Sequence, residues 1–284
     1  GFALSYTAFL ILLTFLWWRT GVHDPAHRPQ TIPYITTYPI AIILFILSIF
    51  VPIQYRFILW IIALLEMMII PLFLSSLGQR GEYMLSIDVA SPSLRERYKL
   101  FTIIVFGETI VGVVAGLSRH HHIDIAIGIT SALGLLLAFC LWWIYFDVSS
   151  DHPVKNKASW LYLWMIIHLP IWIGITAIGP SVLQIISLND LIIPTEILWL
   201  LVGSLVLSLF SIGVFVYTLE VEDRYKMSYR KGSFLLIVLS GLILLFILLE
   251  QFLTSIMILL GLFIILLIPL LYTLYIRIYI PEEG

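Results

Sequence analysis

Glu66, Glu108 and His168 are titratable side chains set inside apolar stretches long enough to cross a bilayer. A charge in hydrocarbon costs a few kcal/mol even on the mildest insertion scale, at about 2.5–3.5 kcal/mol per group. Glu66 falls near the middle of its stretch. Glu108 and His168 each lie some eight residues inside theirs, entering from the same face, which is about 12 Å of helix at 1.5 Å per residue. The three therefore share one level near the bilayer centre. A carboxyl and a neutral imidazole at one depth can exchange a proton near neutral pH. The chemistry this suggests is the binding of a proton, an ion or a small polar ligand, with Glu108 as carrier and His168 as its partner.

Two prolines stand beside these groups. Pro71 removes the helical hydrogen bond to the carbonyl of Met67, and Pro170 removes the one to Ile166. Broken backbone at this depth is tolerated where it is packed in protein or lines a wet cavity. The competing reading is that Glu66, Glu108 and His168 are polar contacts between helices, with the acids protonated.

Other residues surround this set. Arg97 and Glu108 are eleven residues apart, close to three helical turns, and share a face. Gly112 and Gly116 form a G-x-x-x-G spacing that permits close helix approach. Glu96, Arg97 and Asp147 fall where one span begins and the next ends, as an inner gate or ion-pair cluster. His120, His121, His122 and Asp124 make a short polar segment with no metal-ligand spacing, read as a solvated loop. Cys140, the single cysteine, can form no disulfide within the chain and reads as a small buried side chain. No cofactor or metal motif appears, no phosphate loop, and no mid-membrane lysine for a Schiff base.

The elements that must position these residues are transmembrane helices. Of 284 residues, 61% are hydrophobic and 11% charged, about half the charge of a soluble domain. The apolar residues come in unbroken runs of about 20, the length a helix needs to span the bilayer, and not in the short alternating segments of a barrel. This predicts an all-α polytopic bundle of about nine spans, near 2–18, 34–51, 57–77, 98–117, 123–146, 159–178, 195–219, 233–249 and 252–276, as a single integral membrane domain over 1–284. Of the 15 Lys and Arg residues, all but Arg56 and Arg119 fall on one side of that arrangement. The positive-inside rule assigns that side, and the C-terminus, to the cytoplasm of a cell membrane. A net charge of −2 offers no basic surface for nucleic acid. The expected partners are membrane lipids, a small ion or polar solute, and a second copy in a homo-oligomer.

Glu96-Arg97 with Phe101, Ile103-Ile104 and Gly107-Glu108 resembles the signature of the bacterial low temperature requirement protein A family. So do Trp142-Trp143-Ile144-Tyr145-Phe146-Asp147 and His168-Leu169-Pro170, in the same order and at fitting separations. The likeness is best over 94–178 and extends more weakly through Trp17-Trp18 to the first three spans. Tyr98-Lys99 departs from the pair that family members usually carry after Glu-Arg. The resemblance implies a multi-spanning bacterial membrane protein linked to growth in the cold. It also implies a helix ahead of the first span, for ten in all, and it delivers no reaction. Its motif positions fall on Glu96, Arg97, Gly107, Glu108, Asp147 and His168, and not clearly on Glu66.

Three functions fit these observations. The first is a proton- or ion-coupled transporter or channel built on Glu108, His168 and Glu66. The second is a membrane-embedded enzyme acting on a lipid or prenyl substrate, for which Asp147, Asp151 and His152 are the available group. The third is a non-catalytic sensor or assembly subunit. No catalytic residue is assigned.

Overall fold

The computed structural model describes residues 1–25, 28–76, 91–149, 152–156, 158–188 and 192–279. Among these, nine helices are long and apolar enough to cross a membrane, and no strand forms. They are α1 (Phe2–His23), α2 (Arg28–Phe50), α3 (Ile53–Ser76), α4 (Pro92–Leu117), α5 (Ile125–Ser149), α6 (Ala158–Leu188), α7 (Thr195–Val216), α8 (Asp223–Ile243) and α9 (Ser255–Tyr279), with a single turn at Leu245–Leu248 after α8. Nine such helices among the described residues match the expected count of about nine spans. Its boundaries differ most in α6, which runs on through Pro180 to Leu188, and in α8, which begins at Asp223. Hydropathy marks where the apolar run stops, whereas the helix stops where its hydrogen bonds do.

The chain divides into two compact units, residues 1–89 and 90–284. In the first, α1 and α3 both pack on α2. The small side chains of Ala41 and Ala63 sit with Leu10 and Phe45 in its core. Phe2 anchors one level of it, with ring centroids 4.8 Å from Trp60 and 6.5 Å from Phe45. Trp60 Nε1 donates to Ser48 Oγ at 2.9 Å, fastening α3 to α2.

The second unit is organised around α6, which lies between α4 and α7; α7 packs on α8, and α5 contacts α4 and α9. The start of α4 is set locally: Pro92 occupies the first turn, and Ser91 Oγ accepts from the Leu94 amide at 3.2 Å. Asp124 Oδ1 does the same for α5, accepting from Ile127 N at 2.7 Å. A two-residue bridge ties the loops before α6 and α8 together: Lys155 N donates to Thr218 O at 3.0 Å, and Glu220 N donates to Pro153 O at 2.8 Å.

The α4–α6 seam is the tightest in this unit. Contacts advance together along both helices, from Thr102 with Trp172, through Thr109 with Ile175, to Gly112 with Gly179 and Gly116 with Ile186. The two helices therefore run parallel, as one intervening span requires. A β-carbon on Gly112 would lie 2.5 Å from Gly179 O, so only glycine allows this approach. Thr109 Oγ1 then donates across the seam to Ile175 O at 3.2 Å. Outward faces are apolar, as with Ile104 and Val111 on α4, both more than half exposed, which suits hydrocarbon and not water.

Candidate functional site

His168 is fully buried, 0% exposed, on the face that α6 turns toward α4, α5 and α7. Trp164 and Trp172 stand four residues either side of it, so one stripe of α6 presents Trp, His and Trp in succession. Five rings surround the imidazole, with centroids at 4.5 Å (Trp164), 4.8 Å (Tyr98), 5.1 Å (Phe215), 5.5 Å (Trp172) and 6.0 Å (Tyr145).

Both ring nitrogens are satisfied. Nδ1 is 2.6 Å from Trp164 O. A carbonyl can only accept, so Nδ1 carries a proton and donates it. Nε2 is 3.0 Å from the hydroxyl of Tyr145, which is 3.2 Å from Thr102 Oγ1. Thr102 Oγ1 is also 2.8 Å from Tyr98 O and accepts from Trp172 Nε1 at 2.9 Å. Four side chains on three helices thus form one hydrogen-bonded run through the interior of the unit.

This run admits two complete hydrogen-bond patterns. With neutral His168, the Tyr145 hydroxyl donates to Nε2. With cationic His168, Nε2 donates to the Tyr145 oxygen, Tyr145 donates to Thr102, and Thr102 donates to Tyr98 O. No donor or acceptor loses its partner in either case, and no atom must move beyond a hydroxyl rotation.

Glu108 lies elsewhere. On α4 it is one residue, or about 100° of helical turn, from the inward-facing Thr109. Its side chain is exposed, between the exposed Ile104 and Val111. No hydrogen bond joins it to His168, although their helices are neighbours; only its backbone is held, against Gly179. Arg97 shares its outward face, as the eleven-residue spacing requires. Glu96 and Arg97 are exposed, and Asp147 is half-buried near the end of α5. Side-chain salt bridges among the described residues include Arg224–Glu222 at 2.8 Å and Lys226–Asp223 at 2.6 Å.

Glu66 belongs to the first unit. Its carboxyl lies on α3 against the α2 backbone at Ala41. Both oxygens are shielded, and neither makes a hydrogen bond of ordinary geometry. Thr7 Oγ1 on α1 is likewise buried without a partner.

A family model described as bacterial low temperature requirement A protein (LtrA) matches residues 1–270. The chain belongs to the LtrA family. No curated protein and no solved structure matches it. In this LtrA-family member Glu96, Arg97 and Glu108 are exposed on α4, Asp147 is half-buried on α5 and His168 is buried on α6.

Thr102, Tyr145, Trp164 and Trp172 were not singled out from sequence. The stripe Trp164-His168-Trp172 was readable at i, i+4, i+8; Thr102 precedes Thr109 by seven residues on the face that also carries Gly112 and Gly116. His120 lies in the expected polar segment, but its Nε2 donates to Ile186 O at 2.7 Å and pins the end of α4 to the last turns of α6. Among the described residues no group of three His, Cys, Asp or Glu side chains could hold a metal. Asp151 lies outside the described residues.

Proposed function

We propose that this multi-spanning LtrA-family protein is a proton-responsive transporter or channel in which His168 gains and loses the proton. One observation carries the reading: the His168–Tyr145–Thr102 run stays fully hydrogen-bonded with either a neutral or a cationic imidazole. A structural histidine needs one good pattern, and this one has two. The proton therefore changes the charge of the centre and the direction of every hydroxyl in it while the packing stays in place. Coupling requires such a group, since its two states can be close in energy when attraction and hydrogen bonding offset desolvation. Glu108, on the outward face of α4 one turn past Ile104, would hand protons or cations between this unit and whatever lies against that face. The side bearing Lys155 and Arg230 would face the cytoplasm.

The test is flux in vesicles. The unmodified protein, reconstituted with a pH-sensitive dye inside, should carry protons under an imposed pH or ion gradient. His168→Gln keeps a polar side chain but cannot hold the added proton, and should abolish that flux. Tyr145→Phe removes the reversible hydroxyl and should slow it at least tenfold. If the unmodified protein moves no protons under any gradient, or His168→Gln moves them equally well, His168 is a packing element and the assembly-subunit reading replaces transport.

A further inference from the structure

The first unit holds an anomaly that the His168 chemistry does not use. Glu66 is the acid furthest from either end of α1, α2 and α3 among the described residues; the other charges there, Arg19, Asp24, Arg28 and Arg56, lie at or near helix ends. The residue is half-buried, yet both carboxyl oxygens are shielded; they lie against the α2 backbone at Ala41 and make no hydrogen bond of ordinary geometry. Neither protonation state is at rest there. Ionised, the group is a bare charge in a low-dielectric interior. Neutral, its hydroxyl is a buried donor with no acceptor in reach, which also costs free energy.

Depth can be read from the aromatic anchors. Phe2, Phe45 and Trp60 mark one level of the unit, and α1 and α3 run parallel because one antiparallel helix joins them. From that level Glu66 is about 9 Å along α3, Ala41 about 6 Å along α2, and Thr7 about 7.5 Å along α1, at 1.5 Å per residue. The two buried oxygen-bearing side chains that lack partners in this unit thus lie at one depth. The second observation is independent of the first. Thr14 and Thr20 on the same helix each donate to the carbonyl four residues before, at 2.7 and 3.0 Å, as helical threonines do. Thr7, only 5% exposed, makes no such bond.

We infer that Glu66 is the anchoring ligand of a monovalent-cation site in the N-terminal three-helix unit. Oxygen-only donors suit a hard cation. One carboxylate balances one positive charge, whereas a divalent ion would leave a net charge uncompensated in hydrocarbon. The α2 backbone at Ala41 limits how far the carboxyl can swing. Glu66 and His168 belong to different units, and the two readings are tested separately.

The full chain is placed in nanodiscs and compared in sodium chloride and in N-methylglucamine chloride of equal ionic strength. Infrared difference spectra read the Glu66 carboxyl, and thermal unfolding reads binding, since a ligand of the folded state raises the midpoint with concentration. Sodium, or potassium in a second series, should shift the carboxylate stretch and raise the midpoint. Glu66→Gln should lose both responses, and Glu196→Gln, at an exposed acid in the first turn of α7, should keep them. A sodium response that survives in Glu66→Gln overturns the inference. So does a protonated-carboxyl band, absent in Glu66→Gln, that neither cation removes, because Glu66 is then a neutral acid. If Glu66→Gln does not fold, Glu66→Asp decides: retracting the carboxylate by one methylene should weaken sodium binding at least tenfold, and unchanged affinity overturns the site.

Discussion

The two units treat a titratable group on an apolar helix in opposite ways. In the second, His168 is closed in by five rings, and both its nitrogens have partners. In the first, Glu66 is half-buried; its oxygens are shielded but make no hydrogen bond of ordinary geometry. The difference separates two meanings of a polar residue at mid-membrane. A satisfied group stabilises the packing around it, so its loss is felt by the fold. An unsatisfied one destabilises the packing unless something else binds, so its loss is felt by the ligand.

That contrast can be broken most directly at His168. His168→Ala removes the imidazole's bonds to the Tyr145 hydroxyl and the Trp164 carbonyl and opens a cavity among five rings. It should cost about 3–5 kcal/mol, read from the unfolding midpoint in detergent or nanodiscs. A loss below 1 kcal/mol would mean that the network contributes little to the second unit.

The seam that carries the network comes next. Gly112→Val puts a side chain where Gly179 O already stands and should cost about 1–3 kcal/mol while separating α4 from α6. Unchanged stability, with Thr102 still bonded to Trp172, would show that the helices can shift without loss.

At Glu66 the sign should reverse. In sodium-free buffer, Glu66→Leu replaces an unpartnered carboxyl with an apolar side chain of similar size, and should leave stability unchanged or raise it by about 1 kcal/mol. A drop as large as that of His168→Ala would erase the distinction between the units.

Glu108→Gln should fall within about 0.5 kcal/mol, because the side chain is exposed and removes no contact. A larger loss would place Glu108 in an interface. The smallest effect on the fold belongs to orientation. A cysteine at His121 should be labelled by an impermeant reagent from outside intact cells and one at Lys155 should be spared; the reverse pattern inverts the topology.

Tyr145 shows why the centre was only partly legible. It sits in the Trp-Trp-Ile-Tyr-Phe-Asp segment, where aromatic residues near a span end suit the membrane interface equally well. Its hydroxyl points instead to Thr102 and His168 because the α5 stripe Gly134, Ala138, Leu141, Tyr145 and Val148 faces the unit's interior. Glu108 shows the converse. Its place along α4 was readable, yet its direction was not, since Glu108 and Thr109 are neighbours in sequence and about 100° apart around the helix.

By itself, the chain determined that its solvent is lipid, how many helices cross it, that α4 and α6 run parallel, and that Gly112 permits a close approach. These follow from hydropathy, alternation of direction and side-chain size, which each helix carries alone. Only the tertiary structure decided that His168 meets Tyr145 and not Glu108, and that Glu66 lies against the α2 backbone at Ala41 without a hydrogen bond of ordinary geometry. The pitch of a helix fixes which of its residues share a face. Which neighbour that face meets is set by rotation about the helix axis, and rotation is chosen where two surfaces pack, here at Gly112 against Gly179.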